Sequence, residues 1–221
     1  GHGIHVLNLD LGPRPHHTRY RAAERYAARF TDAFIGVSAA MCDAYVAAGI
    51  ARPDQMHCVP SGFDVERFRK AQPPRDVDVL RGPGKPSCIA MIAALEPRKG
   101  HAHFLPHFAR WFAGQNVRLL LCGDGALRRG LEEMVGQLGS VDQVHFCGHR
   151  TDPEAVLAMS DLSVLASDRE GLPRAALQSL ATGTPAVMPA FPGVEVAFRD
   201  QVNARLVPRQ SPDALCAAIA G

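Results

Sequence analysis

The chain has 221 residues, 47% of them hydrophobic and 21% charged, which is the balance of an ordinary globular protein. A net charge of +2 is too small to argue for nucleic acid, no run of about 18 apolar residues offers a membrane span, and the opening Gly1-His2-Gly3 lacks the basic-then-apolar order of a secretory signal. The six cysteines, at 42, 58, 88, 122, 147 and 216, form no C-x-x-C pair, and several sit in apolar runs as small hydrophobes, which points to a reducing compartment, the cytoplasm.

Strand and helix patterns alternate along the chain, as in a parallel sheet covered by helices. His5 to Leu9 reads as a strand, Arg19 to Phe30 as an Ala-rich helix, and Ala33 to Val37 as a strand. Ser38 is a good N-cap for a helix from Ala39 to Ala48, which Gly49 closes, and Met56 to Val59 is a further short strand. From Arg69 to Pro86 the chain is rich in proline, glycine and charge with no helical period, and this stretch is read as a linker.

The alternation then restarts. Strands are expected at Ser87–Leu95, Val117–Cys122, Gln143–Phe146, Leu162–Ala166, Pro185–Met188 and Ala204–Val207. Helices are expected at Ala102–Phe112, Ala126–Leu138, Pro153–Met159, Arg174–Ala181 and Pro212–Ala220. This makes a near-complete doubly wound domain over 87–221, preceded by an incomplete Rossmann-like domain over 1–68 and the linker over 69–86. The first part would leave an apolar sheet edge open, so further sequence upstream is expected.

Open parallel sheets bind ligands in the loops at the carboxyl ends of their strands. The first such loop ends in Arg98-Lys99-Gly100, where a Lys beside a helix start suits an anion, although a solvated surface Lys would look the same. The second, Gly123-Asp124-Gly125, lets a phosphate or base approach the backbone, or is a tight turn. The third is Phe146-Cys147-Gly148-His149-Arg150, which could present backbone groups to a nucleobase, or is explained equally well by turn chemistry. The fourth, Glu170-Gly171-Leu172-Pro173, opens a helix, and Gln178, eight residues after Glu170, is expected two helical turns along on the same ligand. The fifth is Gly193-Val194-Glu195. His101, His103 and His107 read as surface or edge residues and not as a metal site, and Trp111 with Phe112 is expected to pack a helix on the sheet.

In order and spacing these loops resemble the retaining glycosyltransferases of family four, which have the GT-B fold. The matching stretches run from Val37-Ser38 and Pro60-Ser61-Gly62-Phe63-Asp64, through Ala93–Gly100, Cys122–Gly125, Phe146–Gly148 and Glu170–Pro173 with Gln178, to Ala181–Val187 and Gly193–Glu195. The resemblance implies a nucleotide-diphosphate sugar as donor substrate, no cofactor and no metal. It implies that Lys99 faces the diphosphate and that Glu170 and the amides of Gly171 and Leu172, with Pro173, hold the sugar. Gly123, Asp124, Gly125, Cys147, Gly148 and His149 would line the nucleotide pocket, and Gln178 would reach the ribose.

The family's Arg before Leu is Ala94 here, and its second Glu is Gln178. Losing a charged donor to the leaving diphosphate would cost about 2.7–4 kcal/mol of transition-state stabilisation unless another cation, such as Arg98, replaces it. The expected activity is hexosyl transfer to an unidentified glycan or lipid acceptor, impaired in this short form, at the inner face of the membrane with any peripheral contact made by upstream residues. A noncatalytic nucleotide-binding or partner domain of the same fold is the alternative, and a nucleotide-sugar epimerase is a weaker one.

Overall fold

In a computed structural model of the protein, residues 2–4 and 15–221 are described, with side chains from 19 onward. The chain divides into two compact units, Gly1–Gly62 with Arg169–Pro173 and Phe191–Val196, and Phe63–Asp168 with Arg174–Ala190 and Ala197–Gly221.

The first unit contains β1 (His2–Ile4), α1 (Pro15–Ala28), β2 (Phe34–Gly36), α2 (Ala39–Ala47) and β3 (Met56–Cys58). The strands form a parallel sheet in the order β1-β2-β3. The strand expected at 5–9 lies outside the described residues. As the sequence suggests, the Ser38 hydroxyl caps α2 by accepting the Met41 N–H at 3.4 Å, and Gly49 follows the helix with a φ of +63°. Met41 and Tyr45, one turn apart, bury the inner face of α2 against Phe34 and Ile50, and Leu172 packs on the same cluster.

The second unit begins with two short helices, α3 (Val65–Arg69) and α4 (Val77–Arg81). There follow β4 (Ser87–Ile92), α5 (His101–Trp111), β5 (Val117–Cys122), α6 (Arg128–Gln137), β6 (Val144–Gly148), α7 (Pro153–Met159), β7 (Leu162–Val164), α8 (Arg174–Thr182), β8 (Ala186–Pro189), β9 (Arg205–Val207) and α9 (Pro212–Ala220). All six strands are parallel, in the order β6-β5-β4-β7-β8-β9. This doubly wound arrangement reverses direction between β4 and β7, the point where such sheets bind ligands.

Alternate side chains explain why these strands are apolar throughout. Ile89, Met91, Leu119 and Leu121 enter the core under α5, α6 and α9, while Cys88, Ala90, Leu120 and Cys122 enter the core on the opposite face with Val156 and Leu157 of α7. A sheet covered on both sides has no solvent face to mark with polar residues.

Three expectations are corrected. The supposed linker contains α4, whose Leu80 is 3% exposed and shares a core with Phe68 and Val156. A single helical turn carries too few residues to display a 3.6 period. His101 is buried, because it starts the apolar stripe His101, Phe104, Leu105, Phe108 of α5. Trp111 lies at the rim of the helix instead of beneath it; its indole N–H donates to Asp213 at 2.9 Å, while Phe112 is buried as expected. Hydrogen bonds from His107, Trp111 and Arg110 hold the Asp213 carboxyl down to about 2.

Candidate functional site

In the second unit the loops that follow β4, β5 and β6 are laced together by their backbones. Ala93 N–H donates to Cys122 at 3.0 Å, Leu95 N–H to Asp124 at 2.9 Å, and Gly123 N–H to Gly148 at 2.8 Å. The lacing explains Gly123: a Cβ there would lie 2.0 Å from the Ala93 carbonyl oxygen. The glycine serves a close approach between two protein loops, not only the approach of a ligand that its sequence context suggests. The reversal point is drawn together in the same way, with Asp168 N–H donating to the Arg98 carbonyl at 2.9 Å and Gly100 pressed against Ala166.

These laced loops form one wall of an open cleft of about 430 Å³. Ala94, Gly123, Asp124, His149, Arg150 and Gln178 are among its lining residues. Four sequence-predicted positions, Gly123, Asp124, His149 and Gln178, therefore meet at one surface, although they come from three different stretches of the chain. Ala94 contributes only a methyl group to the wall.

Arg150 ends the third loop, and its side-chain role is the part that sequence reasoning did not reach. Its guanidinium donates to both carboxylate oxygens of Asp76, at 2.7 and 3.1 Å, and to both of Asp152, at 2.8 and 2.7 Å. This double fork ties the segment before α4 to the loop after β6 and holds the Asp76 carboxyl below its ordinary range. The Arg-x-Asp spacing was visible in the sequence; the partner 74 residues away was not.

Other predicted residues sit elsewhere. Arg98 and Lys99 lie in a 3₁₀ turn, Pro97–Lys99, ahead of α5, and neither lines the cleft. The Arg98 guanidinium pairs with Glu96 at 3.2 Å, so the nearest replacement for the missing arginine already has an anion. Gly125 is exposed and Cys147 and Gly148 are half-buried. Glu170, Gly171, Leu172 and Pro173 belong to the first unit, where Gly171 and Pro173 are buried and Leu172 packs on the core. α8 begins only at Arg174, so the eight residues from Glu170 to Gln178 are not two helical turns. Pro173 before the helix keeps the preceding residue out of the helical region. Among the described residues no group of three or more His, Cys, Asp or Glu side chains could hold a metal. His103 and His107 line a second cleft of about 420 Å³ beside Gly100 and Ser211.

Comparison with known proteins bears on this arrangement. Residues 74–221 match the family model described as Glycosyl transferases group 1. The MMP alpha-(1->4)-mannosyltransferase of Mycolicibacterium hassiacum is 30% identical over 201 residues, covering 89% of this chain and 46% of that protein. A D-inositol 3-phosphate glycosyltransferase of Mycobacterium marinum is 29% identical over 178 residues, covering 77% of this chain and 38% of that protein. The crystal structure of Anabaena HepE in complex with UDP-glucose superposes with a TM-score of 0.82 at 25% identity, covering 99% of this chain and 60% of that one. The chain thus spans about half the length, or less, of these curated relatives. Among the described residues no helix is long and apolar enough to cross a membrane.

Proposed function

The chain belongs to the group 1 glycosyl transferases, with a GT-B-like fold, and from that premise we propose that its second unit binds the nucleoside diphosphate of a nucleotide-sugar donor. The observation that carries the reading is the convergence of Gly123, Asp124, His149 and Gln178 on one cleft at the carboxyl ends of the strands, beside the reversal of strand order. HepE was crystallised with UDP-glucose, which makes a uridine diphosphate sugar the first donor to test.

The reaction follows from the premise. The bond from the sugar to the diphosphate breaks, and the acceptor hydroxyl takes the sugar on the same face, so configuration is retained without a protein nucleophile. What the protein must supply is charge stabilisation for the departing diphosphate. That role is assigned to Lys99 by the resemblance, although Lys99 is not among the residues lining the cleft, and the amino end of α5, with no side-chain cap, would aid it. Glu170 and the amides of Gly171 and Leu172 are assigned to the donor sugar on resemblance alone, with Pro173 setting their turn.

Lys99→Ala is expected to weaken UDP binding about tenfold or more, as befits a charged hydrogen bond worth about 1.5–3 kcal/mol, and to leave uridine binding unchanged. Calorimetry with both ligands reads the difference; an equal loss for both would remove Lys99 from the diphosphate. Gln178→Glu is expected to strengthen binding of uridine and UDP, because a carboxylate accepts from ribose hydroxyls roughly twice as strongly as an amide. The new charge also repels the diphosphate, so the gain should be larger for uridine. Weaker binding of both would take Gln178 off the ribose.

The uncharged wall at Ala94 and the Arg98–Glu96 pair favour a second reading, a nucleotide-binding relative that does not catalyse transfer. Saturable UDP binding without hydrolysis or transfer of UDP-glucose supports it; turnover of the donor excludes it.

A further inference from the structure

Cys122 ends β5 and Cys147 lies in the neighbouring β6. Both side chains enter the same apolar cluster, on the face of the sheet under α7. The ladder is irregular at this point. Leu121 pairs with Phe146 but Cys122 pairs with Gly148, so Cys147 is the extra residue of a bulge. Bulges re-aim side chains and are frequent beside functional sites. Neighbouring strands run about 4.8 Å apart, so residues on them can come within the roughly 4.4–6.8 Å that a disulfide's α-carbons occupy; Cys147 stands one position from the residue opposite Cys122.

The two sulfurs differ in access. Cys122 is 3% exposed and lines the cleft, whereas Cys147 is half-buried and sits next to the loop that carries His149. The Cys147 thiol donates to the His145 carbonyl at 3.8 Å.

We propose that Cys147 and Cys122 are an oxidisable dithiol in the wall of this cleft, a modification site where a hydroperoxide joins the two sulfurs and thereby weakens nucleotide binding. The link to nucleotide rests on the function proposed above; the dithiol itself does not. The Cys147 sulfur takes the terminal peroxide oxygen, the O–O bond breaks, and an alcohol or water leaves. The Cys122 sulfur then displaces the sulfenic hydroxyl, and its proton leaves with that hydroxyl as water. Two thiols are oxidised to one disulfide, and one peroxide bond is reduced.

The surroundings fit this order of events. The adjacent Cys122 thiol, followed by the charges of Arg150 and Arg118, holds the Cys147 thiol below its usual value despite its burial. The Cys147 thiol beside it, together with burial, pushes Cys122 up. Cys147, the more exposed of the two, is therefore the sulfur that meets the peroxide, and Cys122 the buried thiol that resolves.

The protein treated with hydrogen peroxide, alkylated and digested should yield a peptide that joins Cys122 to Cys147, is released by dithiothreitol, and is missing from the Cys147→Ser variant. UDP affinity should fall about tenfold or more on oxidation and return on reduction. Sulfinate at Cys147 with Cys122 untouched overturns the proposal, as does a linkage confined to Cys42 and Cys58. A Cys122–Cys147 linkage that leaves UDP affinity unchanged overturns the coupling to the cleft. If the linkage forms and the reduced protein binds no nucleoside diphosphate, the proposed function falls and the dithiol stands.

Discussion

Gly100→Ala should destabilise the protein by about 3 kcal/mol or more, with the melting temperature falling by roughly 10 °C, given about 2–4 °C per kcal/mol for a chain of this size. Two costs add. Gly100 has φ +76° and ψ +6°, a left-handed conformation that costs an L-residue about 1–2 kcal/mol. Its new Cβ would also lie 1.9 Å from the Ala166 carbonyl oxygen, and forced overpacking costs about 1–3 kcal/mol more. Ala166 cannot yield by turning a side chain, because the clashing atom is backbone.

A control separates the two costs. Gly139 has φ +65° but nothing within 4 Å of its Cβ position, so Gly139→Ala should show the conformational cost alone. Thermal unfolding of both variants is the measurement. If Gly100→Ala falls no further than Gly139→Ala, the loops after β4 and β7 do not constrain each other, and the pinched reversal point described here is wrong. If it falls further, the turn that carries Lys99 is held in place by the loop after β7.

What the sequence made legible is what repeats locally. Val117–Cys122, Pro153–Met159 and Pro212–Ala220 match the structure residue for residue, and the strand order makes physical sense of their unbroken apolar character. Both faces of the sheet are buried, so the pattern is a run and not an alternation. Proline at the first helical position marks the starts of α7 and α9 from the sequence alone.

The illegible parts depend on partners far along the chain. Nothing near Arg150 announces Asp76, and nothing near Leu80 announces Phe68 and Val156, because both arrangements exist only once α4 is laid against the sheet. The Glu170 to Gln178 spacing misled because eight residues equal two turns only inside a helix, and α8 starts four residues after Glu170. Gly123 was legible as a special position but not as to cause, since the atom it makes room for belongs to Ala93, thirty residues earlier.

His101 should make the protein lose stability as the pH falls from about 6.5 to about 4. The imidazole is 1% exposed, and neither ring nitrogen has a hydrogen-bond partner among the described residues. Burial, followed by the charge of Lys99, pushes its value down to about 4. Between pH 4 and 6.5 the unfolded chain binds a proton that the folded chain refuses, so stability rises with pH across that window. Above about 6.5 the imidazole is neutral in both states and the penalty is absent; below about 4 the penalty is complete. A depression of roughly two and a half units corresponds to about 3 kcal/mol at the bottom of the window and about 2 kcal/mol at pH 5. His101→Leu removes the titration while keeping a side chain of similar volume on the apolar stripe of α5. Denaturant unfolding of both proteins at pH 8 and pH 5 should show the variant's advantage growing by about 2 kcal/mol at the lower pH. A difference that stays constant between the two pH values would mean that His101 takes up its proton in the folded state, and that the first turn of α5, next to Lys99, opens to solvent more readily than its burial indicates.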